Sequence, residues 1–104
     1  MEILPRVHVV VGAFPSFEVR ELGSQMRRAS KSIPLNIAEG YGRRKSEADF
    51  KSFLGNAMGS ANEMVVCFEI CKILGYADAS ECEALMGSYE ELGKMLGGLI
   101  AKWH

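Results

Sequence analysis

Met26, Ala29, Ile33 and Ile37 recur at spacings of three, four and four, the period of a helix stripe. The stripe starts upstream at Val19 and Leu22 and crosses Pro34 without changing phase. A proline inside a helix removes a backbone hydrogen bond and clashes with the preceding turn, at a cost of about 3 kcal/mol. The unbroken phase predicts one kinked helix over residues 16–41 rather than two separate helices. Phe14-Pro15-Ser16 reads as the turn before it, with Ser16 as its cap and Glu18 and Glu21 near its positive end. Gly23 weakens the helix, and Gly40 and Gly42 end it.

A second stripe, Phe50, Phe53, Leu54, Ala57, Ala61, Met64, Phe68 and Cys71, predicts the longest helix, over 46–74. Ser46-x-x-Asp49 resembles a capping box at its start. At its end Leu74-Gly75-Tyr76 suits a left-handed stop, with Tyr76 closing back over the last turn. Ser80-x-x-Glu83 resembles another capping box and opens a helix over 80–103. There Leu85, Tyr89, Leu92, Leu96, Leu99 and Trp103 form a heptad seam. Residues 2–12 are ambiguous. Ile3, Val7, Val10 and Phe14 fit a heptad, but Val9-Val10-Val11 is β-branched and Gly12 breaks the run, so a short helix competes with an extended arm. No strand pattern or internal repeat is present. Long helices joined by short loops predict an all-α fold, an antiparallel up-and-down four-helix bundle forming a single domain over 1–104. Its first helix is shortened and its second Pro-kinked.

Composition adds little to this picture, but the distribution of charge adds something. Net charge is −1, which excludes a chain that is basic throughout. Residues 20–51 nevertheless hold eight Lys/Arg against four acids, and residues 52–104 hold three against seven, so the chain is polarised along its length. No apolar run approaches the ~20 residues of a membrane span, and the start has no basic region ahead of its apolar part. Three cysteines, an odd number, argue against a disulfide framework. A reducing cytoplasm is the expected location.

Arg27, Arg28, Lys31, Arg43, Arg44 and Lys45 are the strongest functional candidates. Each phosphate neutralised by such a patch releases counterions, which gives salt-sensitive, sequence-independent binding. The plainer reading is a solvated helix face with intramolecular ion pairs, since no aromatic is interleaved for base stacking. Glu39 and Glu63 could pair as catalytic carboxylates, but no nucleophile or base completes a set. Folding the second and third helices back around residue 44 instead places Arg28 opposite Ser60, one turn from Glu63. An Arg28–Glu63 pair with Gln25, Asn36, Glu39 and Ser60 would then form a structural polar seam between helices. Cys67, Cys71, Cys82 and His8 could converge on zinc, though free cysteines are commonly small core residues. Gly40-x-Gly42 lacks the strand and spacing of a phosphate loop, and no cofactor is implied.

One wider resemblance rests on Phe14-Pro15, Gln25-x-Arg27-Arg28-Ala29, Ser32-Ile33-Pro34-x-Asn36-Ile37-Ala38-Glu39-Gly40, Gly42-Arg43, Phe50-x-x-Phe53-Leu54, Gly59-Ser60-x-x-Glu63 and Leu74-Gly75-Tyr76. Over roughly residues 14–100 the chain resembles the four helix bundle proteins, also called 23S rRNA intervening-sequence proteins. It departs at the start: the family carries a full first helix before its Phe-Pro, and here thirteen residues precede Phe14. The resemblance implies a non-catalytic accessory protein. A related branch, the retroelement accessory variability determinant proteins, forms a five-membered ring, partners a reverse transcriptase and binds nucleic acid. That branch is strongly basic, and this chain is not.

Two functions follow as expectations. One is an oligomeric accessory module that binds structured RNA or a nucleic-acid-processing protein through the basic patch. The other is a homo-oligomeric protein–protein scaffold with no nucleic-acid contact. Self-association is common to both. Met58, Val66, Ile70 and Ile73 on the third helix, and Met86 and Ile100 on the fourth, lie outside the inward stripes. Left exposed they would mark an interaction surface. The resemblance favours a ring of five over a two-fold dimer.

Overall fold

A computed structural model describes residues 3–14 and 19–103, with the side chains of 19 and 20 excepted. Pro15, Ser16, Glu18 and the Val19 side chain, for which the sequence suggested a turn, a cap, a helix start and a stripe position, lie outside the described residues. The protein is an all-α four-helix bundle: α1 (Ile3–Gly12), α2 (Ser24–Gly42), α3 (Glu47–Leu74) and α4 (Ala79–Lys102).

A wide π turn, Val19–Gly23, leads into α2. Gly23 keeps helical backbone angles, so the two run together without a break. Pro34 lies inside α2, which continues two turns past it to Gly42. The inward side of α2 is formed by Met26, Ala29 and Ile33, with Ile37 partly buried against the core. At Gly40 α2 approaches α3 closely: a Cβ placed there would lie 3.1 Å from the Phe53 Cβ. Only hydrogen fits without a shift.

The 28 residues of α3 correspond to about 42 Å at 1.5 Å per residue, nearly the 45 Å long axis of the molecule. It packs on α2 along one side and on α4 along the other. Ser46 caps it, its hydroxyl accepting from the Asp49 amide at 3.2 Å. At the other end Gly75 turns left-handed at φ 70°. The Tyr76 amide then donates to the Cys71 carbonyl and the Gly75 amide to the Lys72 carbonyl, the paired bonds of a Schellman stop.

For α4 the cap differs from the sequence expectation. Asp78, not Ser80, caps the helix, accepting from the Glu81 amide at 3.1 Å. A carboxylate directly ahead of the first turn takes the orphan amides before Ser80 can, and Glu83 turns to Lys72 instead. The α4 seam also drifts. Cys82, Leu85, Tyr89, Gly93 and Leu96 are buried, while Leu99 is 42 % exposed. A straight helix of 3.6 residues per turn rotates away from a strict heptad. Ile100 and Trp103 therefore close the lower end, and Trp103 stacks on Phe50 with ring centroids 4.2 Å apart.

Residues 3–12 form a helix, not an extended arm. Val7, Val10 and Val11 bury one side of it. Arg6 bonds Glu81 in the first turn of α4 at 3.0 Å, and the Phe14 ring meets Tyr76 at 5.6 Å. This short helix covers the end of the bundle where α3 stops and α4 starts.

Candidate functional site

The six cations do not form one patch. Arg28 and Arg44 are separated by 16 positions, about 24 Å at the α-helical rise. Arg27, Arg28 and Lys31 sit in the first half of α2; Arg28 and Lys31, three apart, share its outer side, and Arg27 lies on the flank. Arg28 and Lys31 are exposed and Arg27 is half-buried. Among the described residues none of these three has an ion-pair partner, whereas Arg43 and Arg44 of the α2–α3 turn are engaged within the chain. Arg43 bonds Glu39 at 2.9 Å, reaches Asp49 at 3.9 Å and lies over the Phe53 ring. Glu39, by its hydrogen bond and charge, raises the Arg43 pKa further. Arg44 donates to the Tyr41 carbonyl and stacks on the Tyr41 ring at 4.1 Å. Lys45 is exposed. Arg43 thus presents its positive charge to Glu39 and Asp49, because residues on either side of a tight connection are brought within reach of one another.

Hydrogen bonds at the contact of α2 with α3 engage Gln25, Asn36, Ser60 and Glu63, with Ser32 added and Arg28 and Glu39 left out. Gln25 Nε2 donates to Glu63 Oε2 at 3.1 Å. Ser60 donates to the Ser32 hydroxyl at 3.0 Å, and Asn36 Nδ2 donates to both the Ser32 hydroxyl and carbonyl. Arg28 is not part of this network. Its position lies to the solvent side of Gln25, and among the described residues it makes no ion pair with Glu63. Glu39 is also outside the seam, held by Arg43 one turn further along α2. Ser32 is the member the sequence reading missed. The signal was its place four residues before Asn36, where an amide side chain can reach back along one helical turn.

The candidate interface residues divide as well. Val66, Ile70 and Ile73 are 59 %, 37 % and 70 % exposed. Met58, Met86 and Ile100 are partly buried against the core of their own chain, and Met58 covers Gly97. A position one past a seam residue falls between two packed helices rather than on the outside, which is why these three were misplaced.

Cys67, Cys71 and Cys82 are buried and reduced. Burial pushes the Cys67 thiol up to about 11, with Glu63 adding to it, so it is a poor nucleophile. Among the described residues no three His, Cys, Asp or Glu side chains gather as a metal set. Tyr89 is buried between α3 and α4, its ring 6.2 Å from Phe68. Among the described residues its hydroxyl has no hydrogen-bond partner, and burial pushes its pKa up to about 12. Among the described residues no helix is long and apolar enough to cross a membrane.

With this geometry in hand, the chain matches the family model described as 23S rRNA-intervening sequence protein over residues 1–98. No curated protein matches it.

Proposed function

Because this chain belongs to the 23S rRNA-intervening sequence protein family, we propose that it is a non-catalytic accessory bundle that binds structured RNA through α2 and assembles with copies of itself through α3. The carrying observation is the trio Arg27, Arg28 and Lys31: cations on the outer side and flank of one helix, without acidic partners among the described residues. Such a face offers its charge to an external polyanion, while Arg43 and Arg44 are already occupied. Binding of this kind is led by phosphate contacts and is salt-dependent and tolerant of sequence. A nucleic-acid-processing protein with an acidic surface would use the same residues.

The second reading, a scaffold without nucleic-acid contact, is favoured by one observation: the exposed apolar residues Val66, Ile70 and Ile73 on α3. Both readings place the protein in the cytoplasm and require no cofactor. Filter binding to a structured RNA at two salt concentrations separates them. The RNA-binding reading expects an affinity that falls steeply with salt; no retention at low salt leaves the scaffold.

A further inference from the structure

Phe50 of α3 stacks on Trp103 of α4, and the two stand equally far along the chain from the point between Tyr76 and Ala77 where the helices turn back. Near that turn Lys72 and Glu83 meet at 3.5 Å. The two helices therefore keep one register from end to end. Cys71 and Cys82 are the residues directly before Lys72 and Glu83, and they too are equidistant from the turn. Both are fully buried. They form the last layer of the α3–α4 seam, beyond the layer of Phe68 and Leu85. Helix axes 8–10 Å apart, with Cα atoms about 2.3 Å from each axis, leave directly facing Cα atoms roughly 3.5–5.5 Å apart. That is within reach of a disulfide, which spans about 4.4–6.8 Å. Cys67, one turn earlier, lies toward Glu63 and the α2 side.

Access to this layer is governed by α1. Arg6 bonds Glu81, the residue ahead of Cys82, and Phe14 rests on Tyr76. Val7 and Val11 anchor the helix in the core. Cys82 lies in the first turn of α4, and helix ends are the first parts of a fold to open. While the end is closed, burial and then Asp78 and Glu81 hold the Cys82 thiol above its ordinary value, so it is a poor nucleophile. The Cys71 thiol donates to the Met26 thioether at 3.8 Å, a weak contact that is readily given up.

We infer that Cys71 and Cys82 form a redox-sensitive lock: when α1 lifts from this end, a small organic disulfide such as oxidised glutathione converts the pair to an intramolecular disulfide that staples α3 to α4. The Cys82 thiol releases its proton to solvent, and the thiolate attacks one sulfur of the organic disulfide. A mixed disulfide forms, and one thiolate leaves and takes up a proton. The Cys71 thiol then loses its proton to solvent, attacks the Cys82 sulfur and expels the second thiolate. Two protein thiols are oxidised by two electrons, and one organic disulfide is reduced to two thiols. The new bond closes residues 71–82 into a ring, which narrows the unfolded ensemble and stabilises the hairpin. A reduced glutathione pool reverses it, and the cysteines remain thiols there.

Incubating the wild-type chain in glutathione buffers of rising oxidised fraction, then alkylating, digesting with trypsin and weighing the peptides, tests this. Two of the three cysteines should be lost to alkylation together, with the peptide that ends at Lys72 joined to the one that holds Cys82. Fragmentation should place the alkyl group on Cys67, and Cys67→Ala should oxidise as the parent does. The linked chain should melt at least about 5 °C above the reduced one. Arg6→Ala should speed the linkage at least about threefold, because it loosens α1 without touching either cysteine. A chain that keeps all its thiols in the most oxidising buffer overturns the lock. So does a link through Cys67, a bond between two chains, or a product that stops at the glutathione adduct. A linked chain that melts no higher than the reduced one overturns the staple, and an unchanged rate in Arg6→Ala overturns α1 as its gate.

Discussion

Gln25 on α2 and Glu63 on α3 are joined by a 3.1 Å hydrogen bond, and Arg28, three positions further along α2, remains in solvent. An uncharged amide facing a carboxylate in a partly exposed seam is a modest contact. Net values for such bonds are about 0.5–1.5 kcal/mol, rising to about 3 with a charged partner. Arg28→Ala should therefore change unfolding free energy by less than about 0.5 kcal/mol, as surface substitutions do, and Gln25→Ala should cost about 1 kcal/mol. Urea denaturation of the two variants measures both. A loss of several kcal/mol on Arg28→Ala would place the arginine in a buried pair.

For RNA, the engagement of Arg43 predicts an order among the cations. Replacing Arg27, Arg28 and Lys31 together by Ala should weaken binding across RNA sequences and reduce the salt slope by about 2–3 units, at roughly 0.7–0.9 per phosphate contact. Arg43→Ala should move the slope by less, because its guanidinium is shared with Glu39 and Asp49. Equal effects from the two changes would mean that the turn opens on binding.

The Tyr89 hydroxyl is buried without a partner among the described residues. An orphaned buried hydroxyl costs about 1–3 kcal/mol. Tyr89→Phe keeps the ring and its contact with Phe68 while removing that cost. The variant should melt at the same temperature as the parent or higher. A clear drop would reveal a hydrogen bond to an ordered water.

The same burial sets an alkaline limit. Cys67 is pushed from an ordinary 9.0 up to about 11, and Tyr89 from 10.0 up to about 12. Both folded values lie above the unfolded ones, so the unfolded chain releases these protons first as pH rises. The stability they contribute is complete below about pH 9 and is lost as pH rises through 11 to 12. Thermal melts across this window should fall with pH. They should fall less steeply in the double variant Cys67→Ala, Tyr89→Phe.

The sequence by itself determined the helices and most of their ends. The phase of Met26, Ala29, Ile33 and Ile37 across Pro34, the Ser46 cap and the Gly75 stop are local relations, set by residues within a turn or two of each other. The inward faces of α2 and α3 followed from the same periodicity, as did membership of a bundle. Only the tertiary structure decided which polar groups meet. The choice between Arg28 and Gln25 as partner of Glu63 depends on a small rotation of α2 about its axis, which a stripe read at whole-residue resolution does not fix. The fate of Met58, Met86 and Ile100 was settled by the contact of α3 with α4, because a flanking position is buried or bare according to how closely the neighbouring helix approaches. The division of the cations likewise came from length in space: α2 separates Arg28 from Arg44 along its axis, while the turn brings Glu39 and Asp49 to Arg43. Spacing along the chain fixes what a helix can present, and packing against its neighbours decides what it does present.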